Sequence, residues 1–372
     1  MKNSKVLLLF LGLLLFGAMS VMSSCSKSSD STATPTVNAD KTKLTALIDS
    51  TNAVYTAAVE GTKPGTYAAG SKAAFKTAID LATTTKTDAG ASQATVNTAE
   101  SSLRRAAKLF QNSLIQEVGT ANLMAQWKFA GNANDATTNG NNGTPKAGTI
   151  AGATPSTPAL GTVQPLLVAD RFGRANQAYE FNNGAYIEVP YKLALNPQAV
   201  TVSAWVKPFD SNPNNYIVSL DRWKGYKFQL QGDRKPFLTV TTTSTTADRD
   251  AAAGIVPANA WSHVVSSYVD GTMKFYINGV LVQTWTNVAG SMKAIPQAVP
   301  LCIGQQLANS IYNSVPTGGQ TTVVNGATVP DVNYYQFYSE AFYKGQMDDI
   351  RIYNRALTDA EVTSIFTIES SL

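Results

Sequence analysis

The chain has 372 residues, 44% of them apolar and 15% charged, with a formal charge of +4, a single histidine and two cysteines. That length accommodates two domains of the usual ~100–200 residues and a sizeable buried core. If Lys2 and Lys5 leave with a leader the charge falls to about +2, too little to steer a nucleic acid, and two cysteines cannot form a disulfide framework.

Residues 1–24 have the form of a signal peptide: basic Lys2 and Lys5, an apolar run from Val6 to Gly17, then Ser23 and Ser24. The run is shorter than the ~20 apolar residues of a membrane-spanning helix. Met22-Ser23-Ser24-Cys25 resembles the bacterial lipobox, which implies lipidation of Cys25 and a cell-envelope protein held at the outer membrane, on its surface or its periplasmic face. Ordinary secretion with a free Cys25 is the alternative. Residues 25–38 are rich in Ser and Thr and lack apolar periodicity, as in a flexible tether.

Helical spacing begins at residue 39 and runs to about 120. Asp40 is placed to cap a first helix whose face carries Leu44, Leu47, Ile48, Thr51, Tyr55 and Ala58, ending near Gly61. Residues 71–85 repeat the pattern through Phe75, Ile79 and Ala82, and residues 92–116 through Val96, Leu103 and Phe110. Short connections make this an up-down-up three-helix bundle. Residues 66–110, through Tyr67, the stretch from Phe75 to Leu81 and the Val96…Leu103 pattern, resemble the three-helix FIVAR modules of bacterial surface proteins, which implies a spacer or a binding surface of its own.

Residues 121–372 read as all-β, with short strands separated by turn residues. Asp270-Gly271 and Asn278-Gly279 are hairpin turns that tie three strands into a meander. Cys302, in PLCIG, reads as a small buried hydrophobe, and Thr358 with Glu361 opens a short closing helix at capping-box spacing. The first segment, MAQWKFAGNANDATTNGNNGT, and the last, YKGQMDDIRIYNRALTDAEVTSIF, each couple an alternating strand to an Asp/Asn-rich element, so the first and last strands are expected to meet. Trp127, Trp205 and Trp261 fall within strand motifs and are expected in the core.

These segments, with AYEFNNGAYIEVP, VTVSAWVKP and WSHVVSSYVDGTMKFYINGVLV between them, resemble the laminin G-like, concanavalin A-like lectin/glucanase superfamily over about 250 residues. The resemblance implies a jelly-roll sandwich and leaves glycan binding, protein adhesion and glycoside hydrolysis open. Retaining hydrolysis needs two carboxylates ~5–5.5 Å apart, yet Glu180, Glu188, Glu340, Glu361 and Glu369 are scattered, with no acidic residue two positions on. His263 has no second histidine and no nucleophile elbow beside it, which favours a structural role.

The resemblance also implies calcium, which takes six to eight oxygens, between the loop holding Asp135 and Asn139 and the pair Asp348-Asp349. If Ile350 and Ile352 face the core, Asp348 shares their side and Asp349 points away with Arg351. Turn capping by Asp135 and pairing of Asp349 with Arg351 or Arg355 is the alternative. Glycan binding calls for aromatic faces with polar partners. Two regions supply them: the turn from Asp221 to Tyr226, with Trp223 and Tyr226, and the long connection after Gly304, with Tyr312, Tyr334, Tyr335 and Tyr338. Those rings either bind ligand or cover the sandwich as a satellite core. The expectation is thus a multidomain α and β lipoprotein, a helical bundle carrying a jelly roll that binds a polysaccharide without chemistry, with calcium as a structural ion. Adhesion to a protein partner and, less favoured, glycoside hydrolysis are the rival readings.

Overall fold

A computed structural model describes residues 38–151, 158–210, 212–312, 321–324, 327–330 and 342–371. The leader, Cys25 and the tether up to residue 37 lie outside these, as do Tyr334, Tyr335 and Tyr338. Helices α1 (Thr42–Ala57), α2 (Ser71–Thr87) and α3 (Gln93–Asn112) come first. Strands follow: β1 (Leu123–Trp127), β2 (Thr144–Lys146), β3 (Thr149–Ala151), β4 (Pro158–Leu160), β5 (Leu166–Val168), β6 (Ala178–Phe181), β7 (Tyr186–Val189), β8 (Val200–Pro208), β9 (Asn214–Leu220) and β10 (Tyr226–Gln231). Then come β11 (Pro236–Thr241), β12 (Thr246–Asp250), β13 (Ser262–Val269), β14 (Gly271–Ile277), β15 (Val280–Val288), β16 (Leu301–Ile303), β17 (Thr321–Val324), β18 (Ala327–Pro330), β19 (Gly345–Tyr353) and the helix α4 (Asp359–Glu369).

The helices start where side chains can satisfy their free N–H groups. The Ser92 hydroxyl accepts from Thr95 N at 3.1 Å. Gly70 precedes α2 without a side chain to offer, and Glu60 fills the gap by accepting from Lys72 N at 2.6 Å. Leu44, Ile48, Phe75, Ile79, Val96, Leu103 and Phe110 close the bundle core. Phe110 lies stacked between Tyr67 and Phe75, with ring centroids 4.2 and 4.4 Å away.

The β region forms two antiparallel sheets facing each other. One runs β15-β14-β13-β8-β19-β6-β5 with β1 also on β19, and the other β12-β11-β10-β9-β16-β7-β2. Alternation along the strands sends Val202, Ala204, Val206, Phe228, Leu238, Ile303, Ile350 and Ile352 into the shared core. The first and last strands meet as expected, with Gln126 opposite Arg351 and Trp127 opposite Ile350. Asn278 and Gly279 both take positive φ, 50° and 75°, as the two-residue hairpin requires, whereas at the Asp270-Gly271 turn only Gly271, at 87°, does so.

Strand β19 changes neighbour partway along one of its edges. There β6 pairs with Gly345, Gln346 and Met347, and β1 takes over from Ile350 to Tyr353. Asp348 and Asp349 fall in the hand-over, and Asp349 adopts φ 43°. Helix α4, opened by the expected Thr358–Glu361 capping box, covers the outer face of the same sheet through Val362 and Ile365 on Val265, Tyr276 and Tyr353. Ser364 on α4 accepts from Gln116 N at 3.0 Å, joining it to the segment that leaves the bundle.

Trp127 is core as expected, but Trp205 lies on the outer face beneath α4, stacked on Phe366 at 5.8 Å, and Trp261 is only half-buried just before β13. Cys302 is buried against Tyr186 and Ala308. The backbone between β2 and β7 is packed so closely that a Cβ on Gly148 would sit 1.4 Å from the Gly184 carbonyl oxygen. Gly148→Ala should therefore cost at least about 1–3 kcal/mol, read as a lower urea midpoint. An unchanged midpoint would mean that the contact is not made.

Candidate functional site

The turn between β9 and β10 is strained. Asp221 and Arg222, consecutive non-glycine residues, have φ of 54° and 31°, a conformation that persists only where surrounding contacts impose it. Those contacts are specific. The Asp221 carbonyl accepts from Lys224 N at 2.8 Å, the Thr241 hydroxyl donates to the Trp223 carbonyl at 2.6 Å, and a Cβ on Gly225 would lie 2.3 Å from the Leu220 oxygen. Arg222 is buried, donates to Gln306 Oε1 at 2.6 Å and lies 4.9 Å from the Trp223 ring. Trp223 is thereby held half-exposed on a fixed base. The Asp221 carboxylate, 1% exposed, finds no hydrogen-bond donor among the described residues, and burial pushes it up to about 7.

The connection after β16 folds over the outer face of the second sheet. Ser219 donates to the Gln306 carbonyl at 2.7 Å, Asn309 donates to the Ala147 carbonyl at 2.6 Å, and Tyr312 donates to Gln305 Oε1 at 2.9 Å. Tyr312 is buried at 8% exposure, so of the two sequence alternatives it takes the satellite-core role. Tyr226 must be corrected outright. It points between the sheets, fully buried, with its hydroxyl on the Leu195 carbonyl at 3.0 Å, because in the alternation YKFQLQ it shares its phase with Phe228 and Leu230. Of the expected aromatic residues within the described chain, Trp223 alone is not buried.

On the same outer face Lys227 is buried between the rings of Tyr216 and Phe237, at 5.2 and 4.6 Å, and donates to Gln229 Oε1 at 2.7 Å. Desolvation brings its ammonium down to about 8. Gln306 and Lys227 are not among the residues expected from the sequence, and Arg222 enters there only as part of the Asp221–Tyr226 turn. The alternation that places Lys227 opposite Tyr226 was readable, whereas nothing local joins Arg222 to a residue 84 positions away.

His263 is structural. Its Nε2 meets Ser203 Oγ at 2.7 Å and lies 4.0 Å from Glu369 Oε2, while Nδ1 has no partner among the described residues. A nucleophile–base–acid relay needs the two ring nitrogens to serve different partners. Burial, with Arg351 and Arg171 nearby, brings this imidazole down to about 3.

The residues expected around calcium are engaged by the protein's own donors. Every Asp135 lone pair is used: Oδ1 accepts from Gln126 N and Thr137 N at 3.0 Å each, and Oδ2 from Thr137 Oγ1 and Asn141 N at 2.8 Å each. Asn139 donates to the carbonyls of Leu123 and Met124. Asp348 and Asp349 do not split to opposite sides of the strand as alternation suggested, because the left-handed Asp349 breaks the phase. Both bind Arg171, Asp348 through Nη1 and Asp349 through Nη2, the latter at 2.9 Å. Among the described residues no three His, Cys, Asp or Glu side chains converge as metal ligands.

Residues 181–319 match the family model of the Concanavalin A-like lectin/glucanases superfamily. No curated protein matches the chain. Among solved structures, domain 4 of AbnA, an extracellular arabinanase from Geobacillus stearothermophilus, in complex with arabinotriose, is 22% identical with a TM-score of 0.42, covering 66% of this chain and 98% of that one. The binding domain of Paraclostridial Mosquitocidal Protein 1 is 17% identical with a TM-score of 0.44, covering 66% of this chain and 52% of that one. The botulinum neurotoxin serotype G binding domain is 14% identical with a TM-score of 0.43, covering 67% and 52%. The chain thus spans about half the length of the latter two.

Proposed function

We propose that the chain is a non-catalytic carbohydrate-binding protein of the cell envelope, anchored through Cys25, with the helical bundle as spacer and the Trp223 turn as part of the glycan site. The observation that carries this reading is the mounting of Trp223. Its half-exposed ring is backed by a buried guanidinium fixed to Gln306, and its carbonyl is fixed to Thr241, so little ordering entropy remains to be lost when a sugar face stacks on it. The family match over residues 181–319 supports the same reading.

Chemistry on the outer face of the second sheet is disfavoured by distance. Glu188 on β7 and Asp248 on β12 are five strands apart, roughly 24 Å at ~4.8 Å per strand, whereas glycoside hydrolysis places its carboxylates ~5–9.5 Å apart. Each is also engaged within the sheet, Glu188 by the Tyr186 hydroxyl at 2.7 Å and Asp248 by the Thr239 hydroxyl.

A glycan array probed with the full chain tests the proposal. Wild-type protein should be retained on a subset of polysaccharides, and Trp223→Ala should weaken that retention by about tenfold or more, ~1.4 kcal/mol, with the melting temperature nearly unchanged. A blank array for the wild type would sink the carbohydrate reading, and a single protein captured in its place would favour adhesion. Full retention by Trp223→Ala would sink the site.

A further inference from the structure

The two halves of the expected calcium clasp already hold positive charges of the protein. Arg171 leaves the loop between β5 and β6 and enters the hand-over on β19, where it binds Asp348 and Asp349 together. It is fixed there from every side. Its Nε and Nη2 donate to the Glu369 carbonyl at 3.3 and 3.1 Å, and its guanidinium lies 4.6 Å from the Trp205 ring and 4.7 Å from the Phe172 ring. At the other half, Lys192 Nζ donates to the carbonyls of Asn139 and Gly140 at 2.7 and 2.9 Å. These are the oxygens a glycine-rich loop would turn toward a metal.

We propose that Arg171 and Lys192 take the place of a divalent cation in this domain, so that the loop around Asp135 and the Asp348–Asp349 corner are held without calcium. The chemistry of the donor set leads there. A hard cation needs six to eight free oxygens, but the four lone pairs of Asp135 face N–H and O–H donors, the aspartate pair faces a guanidinium, and the Asn139 and Gly140 carbonyls face an ammonium, which leaves Asn141 Oδ1 as the one buried side-chain oxygen of the loop without a partner among the described residues, far short of a coordination shell. A cation entering either half would have to displace a protein cation and meet its charge at close range. Arg171 suits the corner because its planar fork reaches two carboxylates at once, which an ammonium cannot do.

The experiment uses the full chain and calcium alone as the probe. For the wild type, equilibrium dialysis should find no stoichiometric calcium, and the melting temperature should be the same in EGTA and in excess calcium. A site filled at a hundred times its Kd would raise the melting temperature by roughly 5–10 °C, so the two outcomes separate cleanly. Arg171→Ala empties the corner and leaves two buried carboxylates uncompensated. It should melt about 10 °C lower in EGTA and recover part of that loss in millimolar calcium. Stoichiometric calcium on the wild type, or an Arg171→Ala protein that folds but does not respond to calcium, would overturn the proposal. Should Arg171→Ala fail to fold, the wild-type dialysis decides alone.

Discussion

Replacing Glu369 with alanine is expected to lower the unfolding free energy by about 1–3 kcal/mol, the cost of leaving a buried donor without its acceptor. Glu369 is 1% exposed at the end of α4. Its Oε2 accepts from Trp205 Nε1 at 2.7 Å, and its Oε1 lies 2.5 Å from Arg351 Nη2. Alanine leaves an indole N–H and a guanidinium facing a void under the helix, and each buried donor so orphaned carries its own desolvation penalty. The apolar contacts of Val362 and Ile365 remain, so α4 should stay docked and the protein should still fold. The check is the urea midpoint at constant m-value. A second variant scales the result: Arg355 and Glu361 pair at 2.6 Å on the surface side of α4, with side chains 31% and 20% exposed, and Arg355→Ala should cost only about 1 kcal/mol or less. Equal losses at the two positions would mean that burial of the Glu369 network contributes nothing.

The helices, the hairpins, the capping box and the meeting of first and last strands were legible because each is written in local spacing. Alternation along residues 345–353 and 123–127 sets the pairing of β19 with β1 before any contact is known. The strands that escaped notice lack that signature. β2 to β5 are only three residues each, too short for a period of two to show, and β12, Thr-Ala-Asp-Arg-Asp, carries the charges typical of an exposed edge. At the candidate site, the Trp223 turn was legible as an aromatic between charges. Tyr226 departs from the expectation because it shares its strand phase with Phe228 and Leu230, which face the core. Arg171 was beyond reach, because its partners are 177 and 178 positions away and no periodicity links such positions. The left-handed Asp349 compounds this by breaking the very alternation on which the side of Asp348 was inferred.

The same network predicts an unusual pH dependence. Asp348, Asp349 and Glu369 share two guanidiniums, Arg171 and Arg351, so the buried cluster carries one negative charge more than it can neutralise. Burial and the neighbouring Asp349 push Asp348 up to about 8, and burial pushes Glu369 up to about 7. Because the folded values lie above those of the unfolded chain, near 4, the folded protein holds a proton through neutral pH that the unfolded chain has released. Stability therefore falls as pH rises through this window, by about 1.4 kcal/mol per unit for each such proton. Asp221, raised by burial to about 7, adds in the same direction. His263 works oppositely: held neutral down to about 3, it refuses a proton that the unfolded chain accepts below ~6.5, so its contribution is lost as pH falls below that point. Between about pH 6.5 and 8 the carboxylates dominate and urea midpoints should decline, Lys227, brought down to about 8, offsetting them only toward the upper end, and His263 opposes them at lower pH. Glu369→Gln should remove the share of the slope due to Glu369, and Asp348→Asn the share due to Asp348. Asp221→Asn should remove the remainder. Wild-type midpoints that stay level from about pH 6.5 to 8, or a decline that survives when Glu369, Asp348 and Asp221 are all replaced, would show that these buried acids do not hold the proton.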